Sequence, residues 1–153
     1  MIEYRKGSVF DAIELNKVVI LCHAVNCKGR WGSGVAKSFK ELYPQAFEQY
    51  ATLCSFYGSQ LLGTTQFVRE SNDSNVYIAC LFTSDGYADT LDPEYMILHN
   101  TESAVKQLFE LSGGVNVHMP KINAGLFRVP WEKTEAIINK HVPSYQNVTI
   151  WEF

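Results

Sequence analysis

A stretch rich in glycine and polar residues follows the first strongly apolar run of the chain. It reads HAVNCKGRWGSGVA over residues 23–36, and Gly32 and Gly34 precede a segment whose apolar residues have helical spacing. The start of a helix presents unpaired backbone N–H groups and the positive end of the helix dipole, and glycine lets a ligand approach the backbone closely. We therefore expect a phosphate at this turn. The alternative is a tight turn in which Ser33 is an ordinary N-cap.

Five side chains near this turn could take part in chemistry. Asn26 could orient a sugar and a water, or cap the strand end as an Asx-type turn. His23 could act as a general acid or base if its pKa lies near neutrality, or be a strand-end histidine bonded to the backbone. Asp85 could be a general base or a solvated loop carboxylate. Lys28 and Arg30 could clamp a terminal phosphate, or be two exposed loop charges.

Several hydrolytic and metal sites require spacings that this sequence lacks. No arginine stands six residues after any of the four cysteines, as a cysteine phosphatase requires, and Asp85 and Asp89 do not form a DxD pair. Cys22, His23 and Cys27 offer no fourth zinc ligand, and no cluster of histidines and carboxylates suggests a two-metal site. What remains is a positioned water that attacks phosphorus. We expect no metal and no cofactor.

Composition indicates one globular domain over residues 1–153. The chain is 46% hydrophobic and 19% charged, with a formal charge of −3 and a pI near 5.8. This balance argues against broad electrostatic capture of nucleic acid or of an anionic membrane. Four cysteines without a CxxC pair are typical of reduced thiols, and no signal-peptide core or membrane-spanning run is present. We therefore expect a cytoplasmic protein with no membrane partner and no direct nucleic-acid partner.

Apolar periodicity predicts strands that alternate with helices. The predicted strands are one around Ile2 and Tyr4 and five over 18–22, 61–68, 76–82, 115–119 and 148–153. The predicted helices are a short turn over 9–15 and longer segments over 35–43, 44–57, 93–112 and 131–141. The buried face of the first long helix is expected to carry Val35, Phe39, Leu42 and Tyr43. That of the third is expected to carry Ile97, Thr101, Ala104, Val105, Leu108 and Phe109, with Asp92 as the N-cap.

This alternation implies an α/β fold with a mostly parallel sheet that helices cover on both faces. In such sheets ligands bind beyond the carboxyl ends of the strands. Three loops, over residues 23–34, 83–92 and 120–130, should therefore meet at one edge of the sheet. The crevice between them is the expected site.

Four motifs in this order and spacing resemble the macro domain family. They are KGSV (6–9), HAVNCKGRWGSGVA (23–36), LFTS (81–84) and MPKINAGLFRVPW (119–131). The resemblance covers essentially the whole chain, and the branch that it resembles most contains the fungal ADP-ribose 1″-phosphate phosphatases. It implies a three-layer α/β/α sandwich with a mixed, mostly parallel sheet, and it implies ADP-ribose in the crevice.

The resemblance also implies how ADP-ribose is held. Asn26 would bond the hydroxyls of the distal ribose, the Phe127 ring would lie against that sugar, and the backbone of Ser8 and Val9 would meet the adenine. Backbone N–H groups of two turns, 32–35 and 123–127, would hold the diphosphate. The residues expected to line the ligand are Gly7, Ser8, Val9, Ala24, Val25, Asn26, Lys28, Arg30, Trp31, Gly32, Ser33, Gly34, Val35, Ala36, Ile122, Asn123, Ala124, Gly125, Leu126 and Phe127.

The chain departs from the family pattern at four positions. Ser8 stands where many members have Asp after the first glycine. Ala36 stands where members that remove ADP-ribose from acidic side chains carry Asp, and Trp31 where viral members carry His. A further branch uses a catalytic Lys with an Asp at the position of Phe127. The last three differences favour the phosphatase branch.

Three functions remain open from the sequence. The leading one is hydrolysis of the terminal phosphate of ADP-ribose 1″-phosphate by a positioned water, without a metal. The second is hydrolysis of ester-linked ADP-ribose from protein or acetate. The third is a reader that binds ADP-ribose on proteins and catalyses nothing. The expected partner is ADP-ribose or its 1″-phosphate. For the last two functions an ADP-ribosylated protein is also a possible partner.

Overall fold

A mixed sheet of six strands forms the centre of the protein. The computed structural model describes every residue from Met1 to Phe153. The strands are β1 (Ile2–Lys6), β2 (Val19–Asn26), β3 (Thr65–Val68), β4 (Val76–Ser84), β5 (Val117–Pro120) and β6 (Val148–Glu152). Their order across the sheet is β1-β6-β5-β2-β4-β3. Only β3 and β4 are antiparallel neighbours, so the prediction of a mixed, mostly parallel sheet is confirmed.

Two pairs of helices cover the two faces of this sheet. The helices are α1 (Gly34–Leu42), α2 (Pro44–Tyr57), α3 (Glu94–Leu111) and α4 (Trp131–His141), and short 3-10 helices span Val9–Ala12, Gly58–Leu61 and Ala88–Thr90. The apolar cluster on one face joins α1 and α2 to the sheet. The cluster on the other face joins α3 and α4 to it. Alternate residues of β2 enter opposite clusters, which gives the three-layer α/β/α sandwich that the sequence predicts.

Helix α3 lies on the sheet as its spacing predicts. All six residues assigned to its inner face are buried. Its start is one residue later than predicted, because Pro93 rather than Asp92 is the N-cap. The Asp92 carboxylate instead accepts hydrogen bonds from the backbone N–H groups of Asp85 and Gly86, at 2.8 and 3.4 Å. Asp92 therefore shapes the loop that precedes the helix.

The predicted apolar face of α1 is confirmed at Phe39, with Tyr43 packed against the same cluster, and is wrong at Val35 and Leu42. Only Phe39 of this helix is buried, whereas Val35 and Leu42 are 37% and 54% exposed. The reason is that α2 covers more of this face of the sheet, through three buried side chains: Ala46, Tyr50 and Cys54.

Strands β2 and β3 differ most from their predicted extents. Strand β3 begins at Thr65 rather than at residue 61, because the chain turns at Leu61 and at Gly63, whose φ is +79°. Strand β2 continues to Asn26, so residues 23–26 belong to the sheet and not to the loop. The apolar run ends earlier than the strand because the last residues of β2 include a histidine and an asparagine.

All four cysteines are free and buried. None of the four helices combines the length and the apolar character that crossing a membrane requires.

The three expected loops meet at one edge of the sheet. Strands β2, β4 and β5 are parallel, so the loops that follow them leave from the same side. The backbone N–H of Cys27 donates to the carbonyl of Asp85 at 3.1 Å, which joins the first loop to the second. The Thr83 hydroxyl donates to Asn123 Oδ1 at 2.9 Å, which joins β4 to the third loop. The predicted convergence is confirmed.

Candidate functional site

The site begins at a register shift at the end of β2. Val25 pairs with Phe82 and Asn26 pairs with Ser84, so Thr83 of β4 has no partner on β2. Asn26 Oδ1 accepts from the backbone N–H groups of Lys28 and Arg30, at 2.9 and 3.4 Å. Asn26 Nδ2 donates to the Arg30 carbonyl at 2.9 Å. The carboxamide therefore folds the chain after β2 into a compact turn, as the Asx-type interpretation proposes.

The glycine turn that follows leads into the first turn of α1, where three backbone N–H groups are unpaired. The N–H groups of Gly34, Val35 and Ala36 have no acceptor within the chain, and the Ser33 side chain makes no capping hydrogen bond. Ser33, Gly34 and Val35 are exposed. Gly34 has a φ of +60°, a conformation that glycine adopts without strain. Three open N–H groups at the positive end of a helix form an anion-binding turn.

A second turn with open N–H groups follows β5. Asn123 has a φ of +67°, and its buried carboxamide accepts from Thr83 and donates to Thr101 and Thr134, at 2.9 and 3.3 Å. These bonds anchor the turn to β4, α3 and α4. The N–H groups of residues 125–127 have no acceptor within the chain, while those of the flanking residues 124, 128 and 129 are bonded.

The two turns face each other across the crevice. A Cβ atom placed on Gly34 would lie 3.6 Å from Leu126 Cδ1. A Cβ atom on Gly32 or Gly125 would meet no atom within 4 Å, so both glycines border open space. The two turns that carry the open N–H groups therefore lie within side-chain reach of each other.

An ion pair joins the first loop to the loop that follows β4. Lys28 Nζ lies 3.2 Å from Asp85 Oδ2, and Asp85 Oδ1 is buried without a hydrogen-bond donor. Arg30 is exposed. Lys28 and Arg30 also line a cavity of about 450 Å³ that the first loop forms with α2. Lys28 and Asp85 thus lie where the first loop meets the loop after β4, whereas Arg30 borders the space between the first loop and α2.

The sequence profile of the macro domain family matches residues 22–138. The chain belongs to the macro domain family. An ADP-ribose 1″-phosphate phosphatase of Candida albicans is 41% identical, with 98% of this chain and 99% of that protein covered. A protein with the same description from Meyerozyma guilliermondii is also 41% identical, with coverage of 92% and 93%. A macrodomain protein from Streptomyces coelicolor has the same fold, with a TM-score of 0.77, 20% identity and coverage of 100% and 99%.

The expected adenine loop of this macro domain is partly occupied by its own side chains. The Ser8 N–H donates to Asp11 Oδ2 at 2.9 Å, and the Ser8 hydroxyl accepts from the N–H of Phe10 at 3.2 Å. Gly7 has a φ of +129°, and a Cβ atom there would lie 2.5 Å from Asp11 Oδ2. Because Ser8 caps the following 3-10 helix, the Val9 N–H is the group of this loop that remains open.

Four residues expected to line the ligand have side chains that point into the macro domain instead. Val9, Val25 and Trp31 belong to the cluster under α1 and α2, and Ile122 belongs to the cluster under α3 and α4. The Trp31 indole is 1% exposed and stacks on the Tyr50 ring at 4.7 Å. Their side chains cannot meet a ligand in the crevice, because large apolar groups in these loops anchor the turns from below. Ala24 and Ala36 are half-buried.

Neither interpretation of His23, as an acid or base near neutrality or as a strand-end histidine bonded to the backbone, fits the structure. The ring is fully buried, stacks on Phe39 at 4.2 Å and meets the edge of Trp31 at 4.6 Å. Burial lowers the pKa of His23 to about 3, and neither ring nitrogen has a hydrogen-bond partner in the protein. A neutral ring inside an aromatic cluster cannot exchange protons with a substrate in the crevice.

The sequence interpretation missed two residues that build the site. Helical spacing places Tyr50 on the packing face of α2, yet its hydroxyl also donates to the carbonyl of Asn26 at 2.6 Å. Asp92 was assigned to a helix cap, yet it holds the Asp85 backbone. A tyrosine among apolar residues and an Asp before Pro carry no local signal for these long-range bonds. No group of three or more His, Cys, Asp or Glu side chains is placed to hold a metal ion.

Burial of His23 predicts acid sensitivity of the fold. In the unfolded chain the histidine pKa is about 6.5, so below that pH the unfolded state binds a proton that the folded state excludes. The free energy of unfolding therefore falls as pH decreases from about 6.5 toward about 3. Between pH 7 and pH 5 the wild type should lose about 2 kcal/mol more than His23→Leu.

Urea unfolding at several pH values measures this difference. Other groups, including the half-buried His118 whose pKa burial also lowers, contribute equally to both proteins and cancel. If the free energy of unfolding changes equally with pH in the wild type and in His23→Leu, the His23 ring is not held neutral in the folded protein.

Proposed function

We propose that this macro domain binds ADP-ribose and hydrolyses the terminal phosphate of ADP-ribose 1″-phosphate. The observation that supports it most directly is the pair of opposed turns, over 34–36 and 125–127, whose backbone N–H groups have no acceptor within the chain. Relatives described as ADP-ribose 1″-phosphate phosphatases, 39–41% identical over nearly the full length, support the choice of substrate.

The diphosphate of ADP-ribose matches the two turns. Two linked phosphates need donors from two sides, and the helix dipole of α1 adds a favourable field on one side. The turns are rigid: Asn123 is tied to three threonine hydroxyls, and Asn26 is tied to the backbone of residues 28 and 30. Rigid donors lose little entropy when the diphosphate binds, which favours affinity.

The distal ribose then lies toward the end of β2. Asn26 Nδ2 uses one hydrogen for the Arg30 carbonyl, and its second hydrogen is available to a sugar hydroxyl. Lys28 and Asp85 lie at the same end of the crevice. Because a phosphomonoester carries close to two negative charges at neutral pH, the Lys28 ammonium, with the exposed Arg30, is suited to bind it.

Hydrolysis at this end needs a water and a group that accepts its proton. In our proposal Asp85 is the general base: its side chain is 31% exposed, and its Oδ2, which is paired with Lys28, takes the proton. The water oxygen bonds to phosphorus while Asp85 takes the proton, and the phosphorus bond to the sugar oxygen breaks. The leaving sugar oxygen then takes up a proton, so the products are ADP-ribose and inorganic phosphate. Lys28 and the N–H groups stabilise the developing charge.

The reader function remains the second candidate. It is favoured by one observation: His23 is buried and the Asn26 carboxamide is bonded to its own loop, which leaves Asp85 as the remaining member of the expected catalytic set. A reader would bind ADP-ribose without releasing phosphate. An esterase would instead release ADP-ribose from a mono-ADP-ribosylated protein.

A side chain at Gly125 should block the diphosphate without disturbing the fold. A Cβ there meets no atom within 4 Å, so valine is tolerated sterically, and it occupies the space in front of the open N–H groups. We expect Gly125→Val to weaken ADP-ribose binding by about tenfold or more, equal to about 1.4 kcal/mol, in calorimetry. Ser144→Val is the control, because the exposed Ser144 precedes β6 and lies at the opposite edge of the sheet. Equal affinities of the two variants would place the ligand elsewhere.

A phosphate-release assay on ADP-ribose 1″-phosphate tests the reaction. We expect turnover by the wild type and a decrease in kcat of about 10²- to 10⁴-fold in Asp85→Asn, with ADP-ribose affinity retained. Asp89→Asn, on the same loop but exposed, should keep wild-type turnover. Turnover by Asp85→Asn at the wild-type rate would remove Asp85 from the reaction, and ADP-ribose binding without any phosphate release by the wild type would favour the reader.

Removal of the two loop cations should discriminate between two ligands. If Lys28 and Arg30 bind the terminal phosphate, the double variant Lys28→Ala with Arg30→Ala should bind ADP-ribose 1″-phosphate about tenfold or more weakly than the wild type does. Its affinity for ADP-ribose should fall much less. Lys37→Ala with Lys40→Ala, on α1, removes the same net charge and serves as the control for long-range electrostatics. Equal losses for the two ligands in calorimetry would contradict a phosphate clamp.

A further inference from the structure

A buried tyrosine bonds the residue that we place at the distal ribose. Tyr50 lies in the middle of α2 and is fully buried. Its hydroxyl donates to the Asn26 main-chain carbonyl at 2.6 Å and lies 3.0 Å from Asn26 Oδ1. Asn26 is the last residue of β2 and pairs with Ser84 directly after the register shift between β2 and β4, so the hydroxyl bonds the residue at which the chain leaves the sheet.

The ring of Tyr50 is held independently of its hydroxyl. It stacks on Trp31 at 4.7 Å and on Phe82 at 5.8 Å, with interplanar angles of 24° in both cases. The ring therefore has a packing role that phenylalanine could fulfil. The hydroxyl adds one polar atom in an apolar cluster, where a polar group without a partner would be costly.

The bonds around Asn26 determine which way its carboxamide faces. Oδ1 is directed at the N–H groups of Lys28 and Arg30 and at the Tyr50 hydroxyl, and Nδ2 is directed at the Arg30 carbonyl. A flipped amide would place its NH2 group against the N–H groups of Lys28 and Arg30, and it would remove Oδ1 as the second acceptor of the single Tyr50 hydroxyl hydrogen. The Tyr50 hydroxyl comes from a different element than the other partners, so it couples the orientation of Asn26 to α2.

We propose that Tyr50 is a positioning residue for the distal end of the ligand, acting through Asn26. Its hydroxyl keeps the carboxamide oriented so that the free Nδ2 hydrogen meets the distal ribose. This inference rests on the proposed function, because it assumes that the crevice binds ADP-ribose with the distal sugar at Asn26.

A comparison of ADP with ADP-ribose separates the contacts of the distal ribose from those of the rest of the site. ADP carries the diphosphate and the adenosine but no distal ribose, so the ratio of the Kd of ADP to the Kd of ADP-ribose reports on that sugar alone. Tyr50→Phe should lower this ratio by about threefold to tenfold, the effect of one misplaced hydrogen bond, and should leave the Kd of ADP unchanged. In the phosphate-release assay the same variant should lose about 10²-fold in kcat, because the reacting group hangs from the misplaced sugar.

A double-mutant cycle distinguishes positioning from a purely structural role. If Tyr50 acts through the Asn26 side chain, Tyr50→Phe should have no further effect on the ratio in the Asn26→Ala background. If the hydroxyl matters only through the main-chain carbonyl, which Asn26→Ala retains, the effect should persist there. Tyr77→Phe is the control: its hydroxyl is bonded to Arg69 at 2.9 Å near the start of β4, at the other end of the strand.

The outcomes are separable from those that test the proposed function. An unchanged ratio in Tyr50→Phe, equal weakening of both ligands, or an effect that persists in Asn26→Ala overturns the positioning role while ADP-ribose binding stands. Failure of the wild type to bind ADP-ribose overturns the proposed function and this inference with it. If the wild type binds ADP-ribose but releases no phosphate, the ratio of the Kd of ADP to the Kd of ADP-ribose decides whether Tyr50 is a positioning residue.

Discussion

The hydrogen bonds of one buried carboxamide control the geometry of the crevice. Asn26 ends β2, accepts from the backbone of the loop that follows and receives the hydroxyl of Tyr50 from α2. Without these bonds the chain after β2 would not turn back toward the start of α1. The path from Asn26 to Gly34 would then lose its register, and the open N–H groups of α1 would no longer oppose those of the second turn.

Backbone donors without acceptors are costly in a protein interior and acceptable only where water or a ligand reaches them. Both turns meet this condition, since Gly34, Val35, Gly125 and Leu126 are exposed. The parallel arrangement of β2, β4 and β5 brings the two turns together, because their loops all leave the same edge of the sheet. A site made of backbone groups also tolerates changes of side chain. The departures at Ser8 and Ala36 therefore leave the open backbone N–H groups of both turns in place.

The aromatic cluster beneath the first loop supports the turn by packing, and its residues are distinct from the charged residues at the crevice. His23, Phe39, Trp31 and Tyr50 pack against one another under the turn, and His23 has no access to solvent. The titratable groups that remain at the crevice, Lys28 and Asp85, come from two different loops and meet only in the folded chain. Packing residues thus support the turn from below, and charged residues approach the ligand from the side.

The sequence by itself determined the alternation of elements, the extent of α2 and α4, the inner face of α3 and the two glycine turns, because each depends on local spacing or on a helix start and stop. It also identified the motifs of the macro domain family. Only the tertiary structure decided that β2 extends through His23 to Asn26, that His23 and Trp31 are buried, and that Tyr50 and Asp92 support the loops. These facts depend on contacts between residues far apart in the chain. A histidine or tyrosine near a motif has the same local spacing whether it faces the ligand or the core.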